Sequence, residues 1–170
     1  MKSLLAAALL AFTSTSAQAV AAVTNLNLPG AGGGWVLSPT IFIGMSFTVG
    51  NGAPSWSFQS ADLRLGTETV GSPIVSVGLY ADSGGSVGTF IADLSSIGVA
   101  LGTSTYNSTP LAPVTFTAGS TYWLVLSSSD NSHNTGWDVP ASGSLAQSGE
   151  PGWTIKDGAA VSDNGGGQLG

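Results

Sequence analysis

The chain has no cysteine and a single histidine in 170 residues. Without cysteine there is no disulfide framework, no thiolate metal site and no thiol nucleophile. Positive charge is almost as scarce, with three Lys and Arg in total. Proteins that grip nucleic acid displace counterions from phosphates with Lys and Arg. That partner class is therefore excluded, and an anionic membrane surface is disfavoured for the same reason. Charged residues of both signs make up 7% of the chain, against roughly 25% in an ordinary soluble domain. Solubility must come from Ser, Thr, Asn and Gly. Such a surface is neutral and hydroxyl-rich, and it suits an extracellular matrix of sugars or a packed layer. No stretch after residue 19 shows helical periodicity with caps. Disorder is excluded as well, because hydrophobic residues form 42% of the chain and recur with a clear period.

Residues 1–19 have the three parts of a secretory signal. Lys2 supplies the charge, residues 4–12 an apolar run too short to span a bilayer, and Ala17-Gln18-Ala19 a small-residue cleavage site. Cleavage there leaves residues 20–170, a length that fits one domain with its own core. Arg64 and Lys156 are then the only cations against nine acids, a net charge of −7. Residues 20–40 read as a Gly-rich lead-in with a candidate first strand. Residues 41–160 read as the folded domain. Residues 161–170 read as a Gly-rich tail or a truncated last strand.

Within 41–160 the apolar residues alternate, as half-buried strands require. Ile41, Ile43, Met45, Phe47 and Val49 share one face of a strand. Ala61, Leu63 and Leu65 alternate with Asp62 and Arg64. Trp56 and Phe58 have the opposite parity, which predicts a bulge or bend near Gln59-Ser60. Val75, Val77, Leu79 and Ala81 form another strand, and Phe90, Ala92 and Leu94 a short one. Val114, Phe116 and Ala118 alternate with threonines. Tyr122, Leu124 and Leu126 face one way, Trp123 and Val125 the other. Turn clusters separate these runs, among them Gly50-Asn51-Gly52-Ala53-Pro54, Asp82-Ser83-Gly84-Gly85 and Ala118-Gly119-Ser120. The spacing predicts an all-β fold, an antiparallel two-sheet β-sandwich of the jelly-roll or Ig-like kind with about eight or nine strands.

Several segments in order carry a family resemblance. Met45-Ser46-Phe47-Thr48-Val49-Gly50 opens it, and the strand pattern of residues 56–65 follows. Val77-Gly78-Leu79-Tyr80-Ala81-Asp82 then leads into a Gly-rich turn. Thr117-Ala118-Gly119-Ser120-Thr121-Tyr122-Trp123-Leu124-Val125-Leu126 closes it, with Trp137 beyond. This order resembles the bacterial exported domain called choice-of-anchor R, often seen with a PEP-CTERM sorting tail, over about residues 41–156. The resemblance implies export and retention at the cell surface or in an exopolysaccharide matrix, and it brings no catalytic residues. The chain departs from the sorting-tail pattern at its end. Glu150-Pro151 is followed by Gly152-Trp153-Thr154-Ile155-Lys156 rather than by a membrane segment, so no membrane span is expected in the mature chain.

Chemistry-bearing groups are sparse. His133, the one imidazole, has no nucleophile elbow to serve and reads as a turn residue. Asp82, Asp130, Asp157 and Asp163 lie beside Gly, Ser or Asn, where Asp bonds its own backbone. The chain is therefore expected not to be an enzyme and to need no cofactor. Gly30-Ala31-Gly32-Gly33-Gly34 lacks the Lys-Ser/Thr that a phosphate cradle requires. From Asp130 to Asp138 oxygen side chains recur at alternate positions, so Asp130, Asn134 and Asp138 are candidate calcium ligands, outside the EF-hand pattern. Five Trp remain. A sugar stacks its C–H face on an aromatic ring while amides and carboxylates hold its hydroxyls. Trp137, Asp138, Asn134 and Trp153 have that chemistry. Two functional readings follow. The first is a non-catalytic, secreted structural or interaction domain of the bacterial cell surface or extracellular matrix, its partners polysaccharide or other surface proteins. The alternative is a carbohydrate-binding module that uses the loop Trp residues, with calcium as a candidate stabilising ion.

Overall fold

The computed structural model describes residues 23–24, 35–67, 72–129, 135–137, 148–149, 151–155 and 160–162. Among these residues every regular element is a strand and every strand pairing is antiparallel. The fold is all-β. In chain order the strands are β1 (Val23–Thr24), β2 (Trp35–Leu37), β3 (Phe42–Thr48), β4 (Ser55–Phe58) and β5 (Ala61–Thr67). Then come β6 (Ile74–Asp82), β7 (Val87–Asp93), β8 (Ile97–Gly98), β9 (Gly102–Ser108) and β10 (Val114–Thr117). The last are β11 (Thr121–Ser128), β12 (Thr135–Trp137), β13 (Ser148–Gly149), β14 (Thr154–Ile155) and β15 (Ala160–Ser162). Among the described residues no helix is long and apolar enough to cross a membrane.

The largest sheet runs β14-β3-β11-β6-β7, with β15 also on β3 and β8 on β6. A second sheet runs β2-β12-β5-β9, and two-stranded pairs join β1 to β13 and β4 to β10. One apolar cluster draws on both larger sheets. Ile43, Val75, Val77, Leu79, Leu124 and Leu126 come from the first, and Leu37, Leu63, Leu65 and Trp137 from the second. The inward parities of β3, β5, β6 and β11 are those the alternation predicts.

A two-stranded ribbon turns a corner between the sheets. β3 pairs with β11 up to Thr48↔Thr121. The ladder then continues through Val49 N–H to the Ser120 carbonyl (2.9 Å) and Ala118 N–H to the Pro54 carbonyl (3.2 Å). It resumes as β4/β10 at Ser55↔Thr117. Six aromatic rings fill the corner. Phe116 lies 5.4 Å from Phe47, 5.2 Å from Phe58 and 4.6 Å from Tyr122, centroid to centroid. Trp153 lies parallel to Phe47 at 6.3 Å and edge-on to Trp56 at 5.6 Å. Trp56 Nε1 donates to the Gly50 carbonyl (3.1 Å), whereas Trp153 Nε1 in the same corner is buried with no hydrogen-bond partner.

At Gln59-Ser60 the chain leaves the ribbon, where Phe58 faces Val114, and enters the second sheet, where Ala61 faces Ser108. The predicted bend is therefore a change of sheet. Two strands depart from the alternation pattern. β9 has no apolar period because it is an edge strand whose residues 102–105 are exposed. β7 begins at Val87 and contains an irregularity that reverses a face.

Candidate functional site

The β6–β7 hairpin turns at Gly84-Gly85. Their φ values of +67° and +91° give the two left-handed positions of a type I′ turn, which glycine takes without steric penalty. Ser83 N–H donates to the Ser86 carbonyl (2.8 Å), and Gly85 N–H donates to Asp82 Oδ2 (3.1 Å). The turn thus aligns β6 with β7, but the ladder does not stay regular. Leu79 faces Ala92, Tyr80 faces Phe90 and Asp82 faces Val87, with register shifts on both sides of Tyr80. Ile91 is the extra residue between Phe90 and Ala92. A bulge re-aims side chains, and here it separates Phe90 from Ala92. Ala92 packs on the core with Leu79, whereas Phe90 joins Tyr80 on the outer face, edge-on at 5.4 Å. Phe90 stays 49% exposed.

The outer face of the large sheet carries a row in register, Ser46–Trp123–Tyr80–Phe90, across β3, β11, β6 and β7. Trp123 and Val125 form a small apolar cluster there with Phe42, Tyr80 and Val87 against them. Glycines make room for the rings. A Cβ on Gly44 would meet Trp123 Cε3 at 3.3 Å, and one on Gly78 would meet Tyr80 Cε2 at 2.9 Å. Tyr80 therefore leans back along β6 over Gly78, towards Asp93, which faces Gly78 across the ladder. The Trp123 indole is locked, since Nε1 donates to Asp82 Oδ1 at 2.7 Å. Asp82 accepts from the turn with one oxygen and from the indole with the other. Burial raises the Tyr80 phenol pKa above its ordinary value, and the Asp93 charge raises it further.

The two described residues singled out in the sequence, Trp137 and Trp153, lie elsewhere. Trp137 stands opposite Leu65 in the second sheet and is 5% exposed, inside the core. Trp153 is 9% exposed in the aromatic corner. A sugar stacks on an exposed ring face, and neither ring offers one. Asp130, His133, Asn134 and Asp138 lie outside the described residues. Among the described residues no three His, Cys, Asp or Glu stand together as a metal site. Two of the three described acids serve local structure: Asp82 as above, and Asp62, whose Oδ1 accepts from Asn107 Nδ2 at 2.6 Å.

Alternation hid the Tyr80–Phe90 pair. Phe90, Ala92 and Leu94 share a parity, which predicts one common inward face. The signal that points outward is the pair of small residues Gly44 and Gly78, both opposite Val125 in register, with the bulky Trp123 and Tyr80 beside them on the non-core parity. No protein-family model, curated protein or solved structure matches the chain.

Proposed function

We propose that this chain is a non-catalytic, exported structural or interaction domain of the bacterial cell surface or of an extracellular polysaccharide matrix. In this reading residues 1–19 are a cleaved signal peptide, and the sheets form a two-layer β-sandwich of the choice-of-anchor R type. The observation that carries it is the Tyr80–Phe90 pair on the outer face of the large sheet, beside a Trp123 that is itself buried at 4% exposure. A fold of this size normally turns such rings inward or scatters them singly. Here two glycines, a bulge and an indole–carboxylate hydrogen bond hold them together on an outer face. Sparse charge and a hydroxyl-rich surface support a setting among polysaccharides. No bond-breaking step is assigned to any residue.

Fractionation of a Gram-negative host expressing the full chain tests this. The expected product begins at Val20 by mass spectrometry and is recovered outside the cytoplasm, in the surface or matrix fraction. Uncleaved protein retained in the cytoplasm would refute the proposal.

A further inference from the structure

We infer that Tyr80 and Phe90 are the platform of a binding site for a neutral polysaccharide, with Asp93 and Asp82 at its margin as acceptors for sugar hydroxyls. The inference deepens the matrix-domain reading and rests on it. A pyranose has an apolar C–H face and a rim of hydroxyls. The platform has the matching parts. Phe90 is half exposed, and Tyr80 presents a hydroxyl beside its ring. Hydroxyl hydrogens seek acceptors, and a carboxylate accepts them more strongly than a neutral group does. Asp82 is already fixed by Trp123 Nε1 and Gly85 N–H, so it meets a ligand without reorganisation, and each of its oxygens keeps a further acceptor position. The bulge at Ile91 and the glycines beneath the rings fix the platform before binding, which lowers the ordering cost that weakens most interfaces.

Charge selects this occupant over the others. Among the described residues, Asp82 and Asp93 supply the only ionic groups in the aromatic row's surroundings. Arg64, the one Lys or Arg among the described residues, lies on β5 in the other sheet. Among the described residues, anionic polysaccharides, phosphates and acidic membranes find no cation on this face. A second copy docked face to face would oppose these carboxylates to themselves, in a chain that already carries an excess of acids. A cationic protein would find two carboxylates, but the exposed surface between them is ring.

The test is affinity electrophoresis of the mature chain through gels containing a soluble β-glucan, a mannan or a xylan, with alginate as the anionic control. We expect at least one neutral polymer to retard the protein, with little change between low and high salt. Phe90→Ala should weaken that retardation at least about tenfold, Asp93→Asn should weaken it less, and Phe90→Tyr should preserve it. Leu111→Ala, an exposed apolar residue outside the row, should change nothing. The unfolding midpoint of Phe90→Ala is measured alongside, and Phe90→Tyr supplies a variant with the ring kept. Three outcomes overturn the inference: no retardation by any of the three neutral polymers, retardation by alginate alone, or binding undiminished in a folded Phe90→Ala. Salt-sensitive binding, or concentration-dependent self-association that Phe90→Ala abolishes, also overturns it, in favour of a cationic partner or a second copy. Matrix recovery of the exported protein separates the two readings. If wild type still reaches the matrix fraction while all glycans fail, the site is wrong and the domain reading stands.

Discussion

Gly50 shows how tightly single residues constrain the corner. A Cβ there would run into Trp153 Cδ1 and lie 2.7 Å from the Pro151 carbonyl oxygen. The indole is wedged between Phe47 and Trp56 and has nowhere to retreat. Gly50→Ala should therefore cost about 1–3 kcal/mol, the range for overpacked sites, and should alter the near-ultraviolet circular dichroism of the aromatic corner. Gly98→Ala is the control. Its nearest neighbour would be Ile74 Cδ1 at 3.8 Å, so its urea midpoint should stay within about 0.5 kcal/mol of wild type. On the outer face the decisive contact is Trp123 to Asp82. Trp123→Phe keeps a ring over Gly44 but removes the donor, and a loss of about 1–2 kcal/mol is expected. Asp82→Asn, which keeps an acceptor, should lose less. If the two variants unfold at the same denaturant concentration, the indole–carboxylate bond does not hold the platform.

At the scale of elements, regular alternation was readable wherever one face meets the core and the other meets solvent. β5, β6 and β10 satisfy that condition, while β3 and β11 keep the period although Ser46, Trp123 and Val125 on their other face are buried too; the inward residues Ile43, Leu63, Leu65, Val77, Leu79, Phe116, Leu124 and Leu126 are buried as the period predicts. The period fails in β9 and in β7. β9 is an edge strand exposed over residues 102–105 that meets the core through Tyr106 near its end, too short a stretch to show a period. In β7 the extra residue Ile91 shifts the phase, and Phe90 changes face without any change in composition. The change of sheet after Phe58 was visible as a parity break, but parity alone cannot tell a bulge from a crossing between sheets. Trp137 and Trp153 misled for a related reason. Short strands flanked by polar loops look like surface, yet pairing with β5 and β3 draws both rings inward. The ribbon corner is the element most exposed to a single truncation. Phe116 contacts Phe47, Phe58 and Tyr122 at once. Phe116→Ala should cost about 3–5 kcal/mol, and a urea midpoint unchanged from wild type would mean that the corner rings do not pack as a unit.

For the whole molecule, stability responds to pH only through the few groups whose ionisation differs between folded and unfolded chains. Tyr80 is such a group. Its folded pKa is raised above the ordinary 10.0, first by burial and then by the charge of Asp93. Among the described residues the charged groups facing it are Asp93 across the ladder and Asp82 two residues along β6, both acids, so neither favours the phenolate. Where the folded state holds its proton and the unfolded state has released it, stability falls as pH rises. Below about pH 10 both states are protonated and Tyr80 contributes its full share. Above it, that share is lost progressively as pH climbs through the raised folded value. Tyr80→Phe has no proton to lose, so its unfolding midpoint should decline less steeply between pH 9 and 11 than that of wild type. Asp93→Asn removes the second cause only and should fall between them. Parallel declines in all three proteins would show that the phenol is not held against the outer face, and the platform would lose the residue that joins its rings to its carboxylates.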